Sequence, residues 1–315
     1  MGMESSMSNL LTSTASPVTL RVVDFKRVYL TLVGCGGTGS HMASGLAAIA
    51  QALQEKGVAV EMLFVDPDRV EPKNVGRQLF SLVDVGEYKA EALAGRLNAA
   101  FGMRIMSAVR RVDVLDLTPG PSPVGEGRGE GRRELYIVIG AVDNAAARVV
   151  MARAVKSANG ALWWLDCGNE NHSGQVCIGN VAQKGAMHGA IALGMVDRLP
   201  GPSVVWPDLV KGPHPRPLSR AEKRAQERGE SCAELTAAGE QGLMVNRLAA
   251  AWALAMLHDF VVTRDLRYFA VAFDQVWGGV RTYSIDAPTI AEVCGLTVSD
   301  MQVKAKKERR RRDEG

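Results

Sequence analysis

Four glycines in one short loop are the first residues of this chain whose spacing indicates chemistry. Gly34, Gly36 and Gly39 stand in a G-x-G-x-x-G spacing, with Gly37 between them, directly after the apolar run 28–33. A loop of this kind between a strand and a helix lets the backbone turn tightly and approach a phosphate, and the helix N-terminus favours the negative charge. The spacing therefore predicts a nucleotide-binding loop, although any tight turn between a strand and a helix can carry the same pattern.

Polar and charged side chains gather after a second apolar run, 60–65. That run ends at Asp66, where a carboxylate in a doubly wound fold can bond both ribose hydroxyls. The residues that follow are Asp68, Asn74, Arg77, Gln78 and Lys89. A nicotinamide site has no need of two cations at this position, whereas the triphosphate of ATP does. These residues therefore indicate ATP chemistry. A nicotinamide or flavin oxidoreductase, which would share the glycine loop and Asp66, is the less favoured alternative.

Taken together, these motifs resemble the ThiF/MoeB and ubiquitin-activating superfamily over most of the chain. Members of this superfamily adenylate the C-terminal carboxylate of a small ubiquitin-like protein. The matching sequences are the glycine loop, DPDRVEPKNVGRQLF and VIGAVDNAAAR, the last of which contributes Asp143. Within the superfamily the chain is most similar to the ThiF-like component of the PRTRC gene systems, through DPDRVEPKNVGRQLF and SCAELTAAGEQGLMVNRLAA. That similarity implies a plasmid-associated protein and a ubiquitin-like partner.

The resemblance implies a role for each candidate residue. A carboxylate that attacks the α-phosphate of ATP builds charge on the phosphoryl oxygens and on the departing pyrophosphate, so catalysis depends on alignment and neutralisation. The implied catalytic residues are Asn74, Arg77, Lys89 and Asp143. The implied ATP-binding residues are Gly34, Gly36, Gly37, Gly39, Asp66, Asp68 and Gln78. Asp143 follows the apolar run 135–141, and ligands bind at strand ends in such folds, so this carboxylate is expected to hold Mg²⁺.

Each assignment has a plainer alternative that the sequence leaves open. Arg77 and Lys89 are then solvated surface cations, Asn74 is a turn residue, and Asp143 is the N-cap of a helix over residues 144–157. The corresponding alternative for the whole protein is a non-catalytic module that keeps the adenylating fold for partner binding. We favour an enzyme because the expected catalytic set is complete.

Apolar runs and helical patterns alternate along the chain and predict the fold. The predicted strands lie near residues 28–33, 60–65, 104–109, 135–141, 161–166 and 174–180, and within 268–285. The predicted helices lie near residues 38–53, 87–100, 144–158 and 234–260. Such alternation implies right-handed β–α–β units. We therefore predict an α/β, Rossmann-like, doubly wound fold, whose mostly parallel sheet has a mixed or antiparallel C-terminal extension.

Composition divides the chain into one domain and several polar segments. Residues 119–133 and 212–230 are rich in proline, glycine and charge, and they cannot bury enough apolar surface to offset the entropy lost on ordering. We expect a flexible N-terminal arm over residues 1–20, an adenylating domain over 21–300 that carries both insertions, and a basic tail over 301–315. The insertions could also dock a partner, because long loops are often functional.

Charge and hydropathy argue against a nucleic-acid-binding protein and a membrane protein. The formal net charge is +3, and segment 304–314 alone contains seven Lys and Arg against three Asp and Glu, so the rest of the chain is nearly neutral. A short basic tail is weak support for nucleic-acid binding. The longest strongly apolar stretch, 248–257, is half a membrane span, and the N-terminus lacks the pattern of a secretory signal. We expect a cytoplasmic protein.

The cysteines predict neither a zinc site nor a thioester. No CxxC pair occurs, so the tetrathiolate zinc site of many relatives is not expected. Cys232 opens SCAEL and could handle sulfur, but a small buried residue at a helix start is the favoured interpretation. The expected core cysteines are Cys35, Cys167 and Cys177. The resemblance also implies a homodimer, in which Arg21 or Arg27 could reach the partner's triphosphate.

Overall fold

The computed structural model of the chain describes residues 18–22, 24–117, 134–170, 172–211 and 243–303. The insertions, Cys232, the arm up to residue 17 and the tail from residue 304 lie outside these ranges. The described strands are β1 (Thr19–Leu20), β2 (Arg27–Val33), β3 (Ala59–Val65), β4 (Met106–Ala108), β5 (Glu134–Gly140), β6 (Leu162–Asn169), β7 (Ser173–Gly179), β8 (Ile191–Ala192), β9 (Met195–Val196), β10 (Tyr268–Asp274) and β11 (Val280–Ser284). The described α-helices are α1 (Gly37–Glu55), α2 (Lys89–Phe101), α3 (Ala145–Ser157), α4 (Pro202–Val205), α5 (Leu243–His258), α6 (Ala287–Cys294) and α7 (Val298–Met301).

Parallel pairing builds the half of the main sheet that carries the nucleotide motifs. β2 pairs with β3 on one side and with β5 on the other, and β4 and β6 extend the two flanks, all in parallel. Residues 162–168 of β6 are all buried, as expected for a strand covered on both faces. Because the strands are parallel, β2, β3, β5 and β6 end at one edge of the sheet. We call it the carboxyl edge.

Three antiparallel strands complete the main sheet. In the described chain this sheet has eight strands, in the order β11-β10-β7-β6-β5-β2-β3-β4. β7 runs antiparallel to β6, β10 to β7, and β11 to β10. β10 therefore also ends at the carboxyl edge, beside the turn between β6 and β7. The predicted α/β fold, with a mostly parallel sheet and an antiparallel C-terminal extension, is confirmed.

Helices cover both faces of the sheet and enclose two apolar layers. On one face, Leu46 of α1 and Leu257 of α5 share a buried core with Leu30 of β2. On the other face, Met151 of α3 is buried with Trp164 of β6. Each such side chain contributes about 1.5–3 kcal/mol when it is fully removed from water. The two layers together hold the carboxyl edge in a fixed frame.

Helix α5 is the most apolar helix of the sheet's larger core. With the π-helical turn Asp259–Thr263 that follows it, the stretch Met244–Thr263 is the one described segment long and apolar enough to cross a membrane. Half of that segment is buried, and it packs against α1, β6 and β7, as a core helix does. The predicted helix 234–260 matches α5 from residue 243 onward, and residues 234–242 lie outside the described ranges.

Residues 19–20 and 301–303 pack within the described structure. Thr19 and Leu20, assigned to the N-terminal arm, form β1 and pair in parallel with β9. Met301, assigned to the tail, ends α7 and is fully buried, and the backbone N–H of Val303 donates to Ile191. The sequence did not predict these contacts, because strands of two residues carry no periodic pattern and their pairing partners are distant in sequence.

Candidate active site

The glycine loop joins β2 to α1 at the carboxyl edge, and two of its glycines are required by close contacts. Gly34 has a φ of +89°, and a Cβ added there would lie 2.5 Å from the carbonyl oxygen of Ala141. A Cβ added at Gly39 would lie 1.9 Å from the carbonyl oxygen of Gly34. The loop is therefore folded tightly onto itself and against the end of β5, which leaves no room for a side chain.

The N-terminus of α1 is open to an anion. Gly36 is the N-cap, so no side chain caps the helix, and the first turn contains no acidic residue. The first N–H groups of a helix seek an acceptor, and the helix dipole adds partial positive charge. This arrangement matches the phosphate cradle expected from the sequence.

Asp66 lies beside the loop at the end of β3 and is 5% exposed. Its Oδ2 accepts a hydrogen bond from the Cys35 backbone N–H at 2.6 Å, and its Oδ1 accepts one from the Asp68 N–H at 2.8 Å. Burial raises the pKa of Asp66, although these N–H groups and Lys89 oppose the shift. A carboxylate oxygen can accept a second bond, so Asp66 retains acceptor capacity for ribose hydroxyls.

Lys89, at the start of α2, is held beside Asp66 rather than in solvent. Its Nζ lies 3.0 Å from Asp68 Oδ2, and its side chain is 10% exposed, whereas that of Asp68 is 63% exposed. The surface-cation alternative is therefore wrong for Lys89. An ammonium group has three donors, so it can bind phosphate oxygens while it keeps Asp68.

The N-x-x-R-Q segment is anchored on α1 and packs against the loop. The backbone N–H of Leu79 donates to Ser40 Oγ at 3.0 Å. Gln78 Nε2 lies 3.9 Å from a Cβ built on Gly36, and its buried Oε1 has no hydrogen-bond partner among the described residues. An unpaired buried polar atom is costly, so its position favours a ligand or water as the missing partner. Arg77 precedes it and is exposed.

Asn74 has the turn role that the sequence left open, and its side chain is also buried. Its Oδ1 accepts from the Glu71 N–H at 2.8 Å and so closes a 3₁₀ turn, which is the role of a turn residue. The side chain is nevertheless buried at 7% exposure, and its amide nitrogen makes no hydrogen bond to the part of the chain that the structure describes. That nitrogen is the group that could bind a phosphate oxygen.

Asp143 follows β5 at the carboxyl edge and does not cap α3. Asn144 is the N-cap, and its side chain accepts from the Ala147 N–H at 2.9 Å. The N-cap alternative is therefore wrong for Asp143, whose exposed carboxylate accepts a hydrogen bond from the Asn144 side-chain amide at 3.4 Å. Mg²⁺ bound with a triphosphate uses one or two carboxylates besides phosphate and water oxygens, so Asp143 fits such an ion. No group of three His, Cys, Asp or Glu side chains converges in the described ranges.

A buried ion pair that sequence reasoning missed supports this position. The Arg148 Nε of α3 lies 3.0 and 3.2 Å from the two carboxylate oxygens of Asp166, within β6. Burial raises the pKa of Asp166, and Arg148 opposes the shift. The pair joins α3 to β6 and so positions Asp143, five residues before Arg148.

The sequence also did not predict a cluster of three polar side chains on the β6 side of the loop. Thr38 Oγ1 donates to Asn246 Oδ1 at 3.1 Å, and Asn169 Nδ2 donates to both Thr38 Oγ1, at 3.1 Å, and Asn246 Oδ1. We call Thr38, Asn169 and Asn246 the amide cluster. Its members come from α1, β6 and α5, so no local pattern could reveal it.

The remaining candidates are three cysteines and two arginines. Cys35, Cys167 and Cys177 are buried and have no disulfide partner, and burial raises the pKa of each thiol. Their expected place in the core is confirmed. Arg27 forms an ion pair with Glu61 at the start of β2, opposite the carboxyl edge, and Arg21 is exposed.

Solved structures share this fold at low sequence identity. The crystal structure of PaaA is 17% identical, with a TM-score of 0.51, and the match covers 83% of this chain and 74% of PaaA. That of E. coli MccB with MccA is 18% identical, with a TM-score of 0.50, and the match covers 86% and 67% of the two chains. At such identities the likeness concerns the fold alone.

This chain spans less than two thirds of the length of one such neighbour. The structure of E. coli MccB with succinimide is 16% identical, with a TM-score of 0.49, and the match covers 82% of this chain but only 64% of MccB. No curated protein sequence matches this chain. The sequence model of the ThiF family matches residues 21–258, which is most of the chain. This protein therefore belongs to the ThiF family.

Proposed function

We propose that this protein uses MgATP to adenylate the terminal carboxylate of a small ubiquitin-like protein. A carboxylate oxygen attacks the α-phosphorus of ATP, the bond between the α-phosphorus and the bridging oxygen breaks, and the products are an acyl-adenylate and pyrophosphate. No proton transfer is required. The observation that carries the proposal is the meeting of the glycine loop, buried Asp66 and buried Lys89 at the carboxyl edge.

Each side chain contributes binding, orientation or charge. The loop and the uncapped N-terminus of α1 would cradle phosphate, and Asp66 would accept the ribose hydroxyls. Asn74, Arg77 and Lys89 would bind the phosphate oxygens on which charge develops. Mg²⁺, held by Asp143, would neutralise the departing pyrophosphate. Gln78 Oε1 and the Asn74 amide nitrogen would gain the partners that they lack among the described residues.

The partner class rests on sequence similarity rather than on this geometry. The narrower similarity to PRTRC proteins implies a ubiquitin-like partner, and relatives of this superfamily commonly dimerise. E. coli MccB, which shares this fold, has been crystallised with MccA. Homodimerisation, the plasmid association and a cytoplasmic location are parts of the proposal. A nicotinamide enzyme is disfavoured, since it gives no role to Lys89 beside the ribose carboxylate.

The direct test is ATP–pyrophosphate exchange with candidate ubiquitin-like proteins from neighbouring genes. Arg77→Ala and Asp143→Ala should each abolish exchange and leave the melting temperature nearly unchanged, because both side chains are exposed. Matched controls are Arg267→Ala and Asp265→Ala, an exposed ion pair far from the carboxyl edge. Exchange that survives in both site variants, or calorimetric binding of NADH without ATP, would reject the proposal.

A further inference from the structure

The amide cluster has one donor group that its own hydrogen bonds do not use. Asn246 Oδ1 accepts from both Thr38 and Asn169, which fixes the orientation of the Asn246 amide. Its Nδ2 then points away from these partners and makes no hydrogen bond within the described ranges. That nitrogen lies 2.7 Å from a Cβ built on Gly37, so it stands directly over the loop backbone.

The two flanks of the glycine loop therefore carry different groups. Gln78 lies against Gly36 on the flank that continues to β3, Asp66 and Lys89. Asn246 lies against Gly37 on the opposite flank, because α5 packs on β6 and β7. Phosphoryl transfer places the attacking and leaving oxygens roughly in line across the phosphorus. The cations Arg77 and Lys89, which would bind the departing phosphates, belong to the β3 flank, so the attacking carboxylate would approach from the β6 flank.

We propose that the Asn246 side-chain amide donates a hydrogen bond to the acyl end of the carboxylate substrate, with Thr38 and Asn169 orienting it. The inference rests on the adenylation proposed above. A neutral donor suits this place because it can bond the carboxylate before attack and the acyl oxygen afterwards, with no change of charge. Asn246 is thus a substrate-binding residue, distinct from those that hold the nucleotide.

The test compares a nucleotide that lacks an acyl group with an analogue of the acyl-adenylate. One is AMP, and the other is N-acetylglycyl sulfamoyladenosine, in which a sulfamate replaces the phosphate of an acyl-adenylate. We expect Asn246→Ala to weaken binding of the acyl sulfamate roughly 10- to 100-fold, as for a lost hydrogen bond to a charged group. Its affinity for AMP should stay within about threefold. Thr38→Val should cause a smaller loss of the same kind.

Controls separate this inference from structural effects. Asn246→Ser is the second variant if the alanine variant does not fold, and both melting temperatures are measured. Asn98→Ala is the matched control, because among the described residues that amide bonds the Ile105 backbone, far from the carboxyl edge. An equal loss for AMP and the acyl sulfamate, or no loss, would overturn the role of Asn246. If the unaltered protein binds the acyl sulfamate no better than AMP, the proposed adenylation itself fails.

Discussion

Gly39 offers the sharpest test of whether the tight loop is the basis of both fold and site. Gly39→Ala places a methyl group 1.9 Å from the Gly34 carbonyl oxygen, where ordinary contact begins near 3.4 Å. The loop or α1 must therefore move by about 1.5 Å. Gly95→Ala in α2 is the matched control, because it makes the same change within a helix and its methyl group meets nothing within 4 Å.

The two substitutions should change stability in opposite directions. Alanine in a helix gains about 0.5–1 kcal/mol over glycine, which is the whole effect expected at Gly95. At Gly39 the displaced atom belongs to the backbone, so overpacking of about 1–3 kcal/mol or more should exceed that gain. At about 2–4 °C per kcal/mol for a domain of this size, Gly95→Ala should melt a few degrees higher, and Gly39→Ala several degrees lower.

Calorimetry without nucleotide measures the change in melting temperature, and pyrophosphate exchange measures the change in activity. A displacement of about 1 Å at a reacting centre can cost about 100-fold in rate, so exchange by Gly39→Ala should fall by about that factor. Gly95→Ala should keep the full rate. If Gly39→Ala melts like the unaltered protein and keeps its exchange rate, the close packing of Gly34 and Gly39 does not position the site.

Three further outcomes follow from the buried groups and the inserted segments. Because the pKa of Asp66 is raised by burial, its carboxylate should take up a proton at a pH above the ordinary Asp value of about 3.9. Calorimetry with the acyl sulfamate should show affinity falling as the pH is lowered through that range, and Asp66→Asn should bind weakly and lose this dependence. Cys232→Ser protein should resist alkylation at pH 8 and form no thiol-sensitive adduct on a non-reducing gel, since the described cysteines are buried and burial raises the pKa of Cys294 to about 11. Labelling or an adduct would show that another cysteine is accessible. Replacing residues 119–133 by a short Gly–Ser bridge should leave the melting temperature unchanged, because loop length costs little entropy, and a large loss would show that the segment packs.

The sequence could predict those features that are encoded within one β–α–β unit. The apolar run of β2 and the first turn of α1 are adjacent in the chain, so the glycine spacing between them indicates a tight turn from strand to helix. Asp66 follows its strand directly, and its place at the carboxyl edge needs only that β3 be parallel to β2. The fold class was readable for the same reason, and the nucleotide site at this edge stays a prediction.

Contacts between distant segments were not predictable. Thr38 and Asn246 are 208 residues apart in sequence, and they meet only because α5 packs across β6. β1 and β9 consist of two residues each, too few for a period of alternation. For Lys89 the sequence left a solvated surface cation open as the alternative, and only the tertiary structure shows that its side chain is 10% exposed and lies 3.0 Å from Asp68. Such details depend on tertiary arrangement rather than on local propensity.

The strand order has a consequence for synthesis on the ribosome. β7 ends at Gly179, but its outer neighbour β10 begins only at Tyr268. At about 5–20 residues per second, the growing chain needs on the order of ten seconds to supply β10. Until then the outer side of β7 presents unpaired N–H and C=O groups, which are a template for association with other chains. If translation stalls after β7 and before β10, the nascent chain should therefore depend on chaperones. Once β10 has left the ribosome, it can pair with β7 and cover this edge.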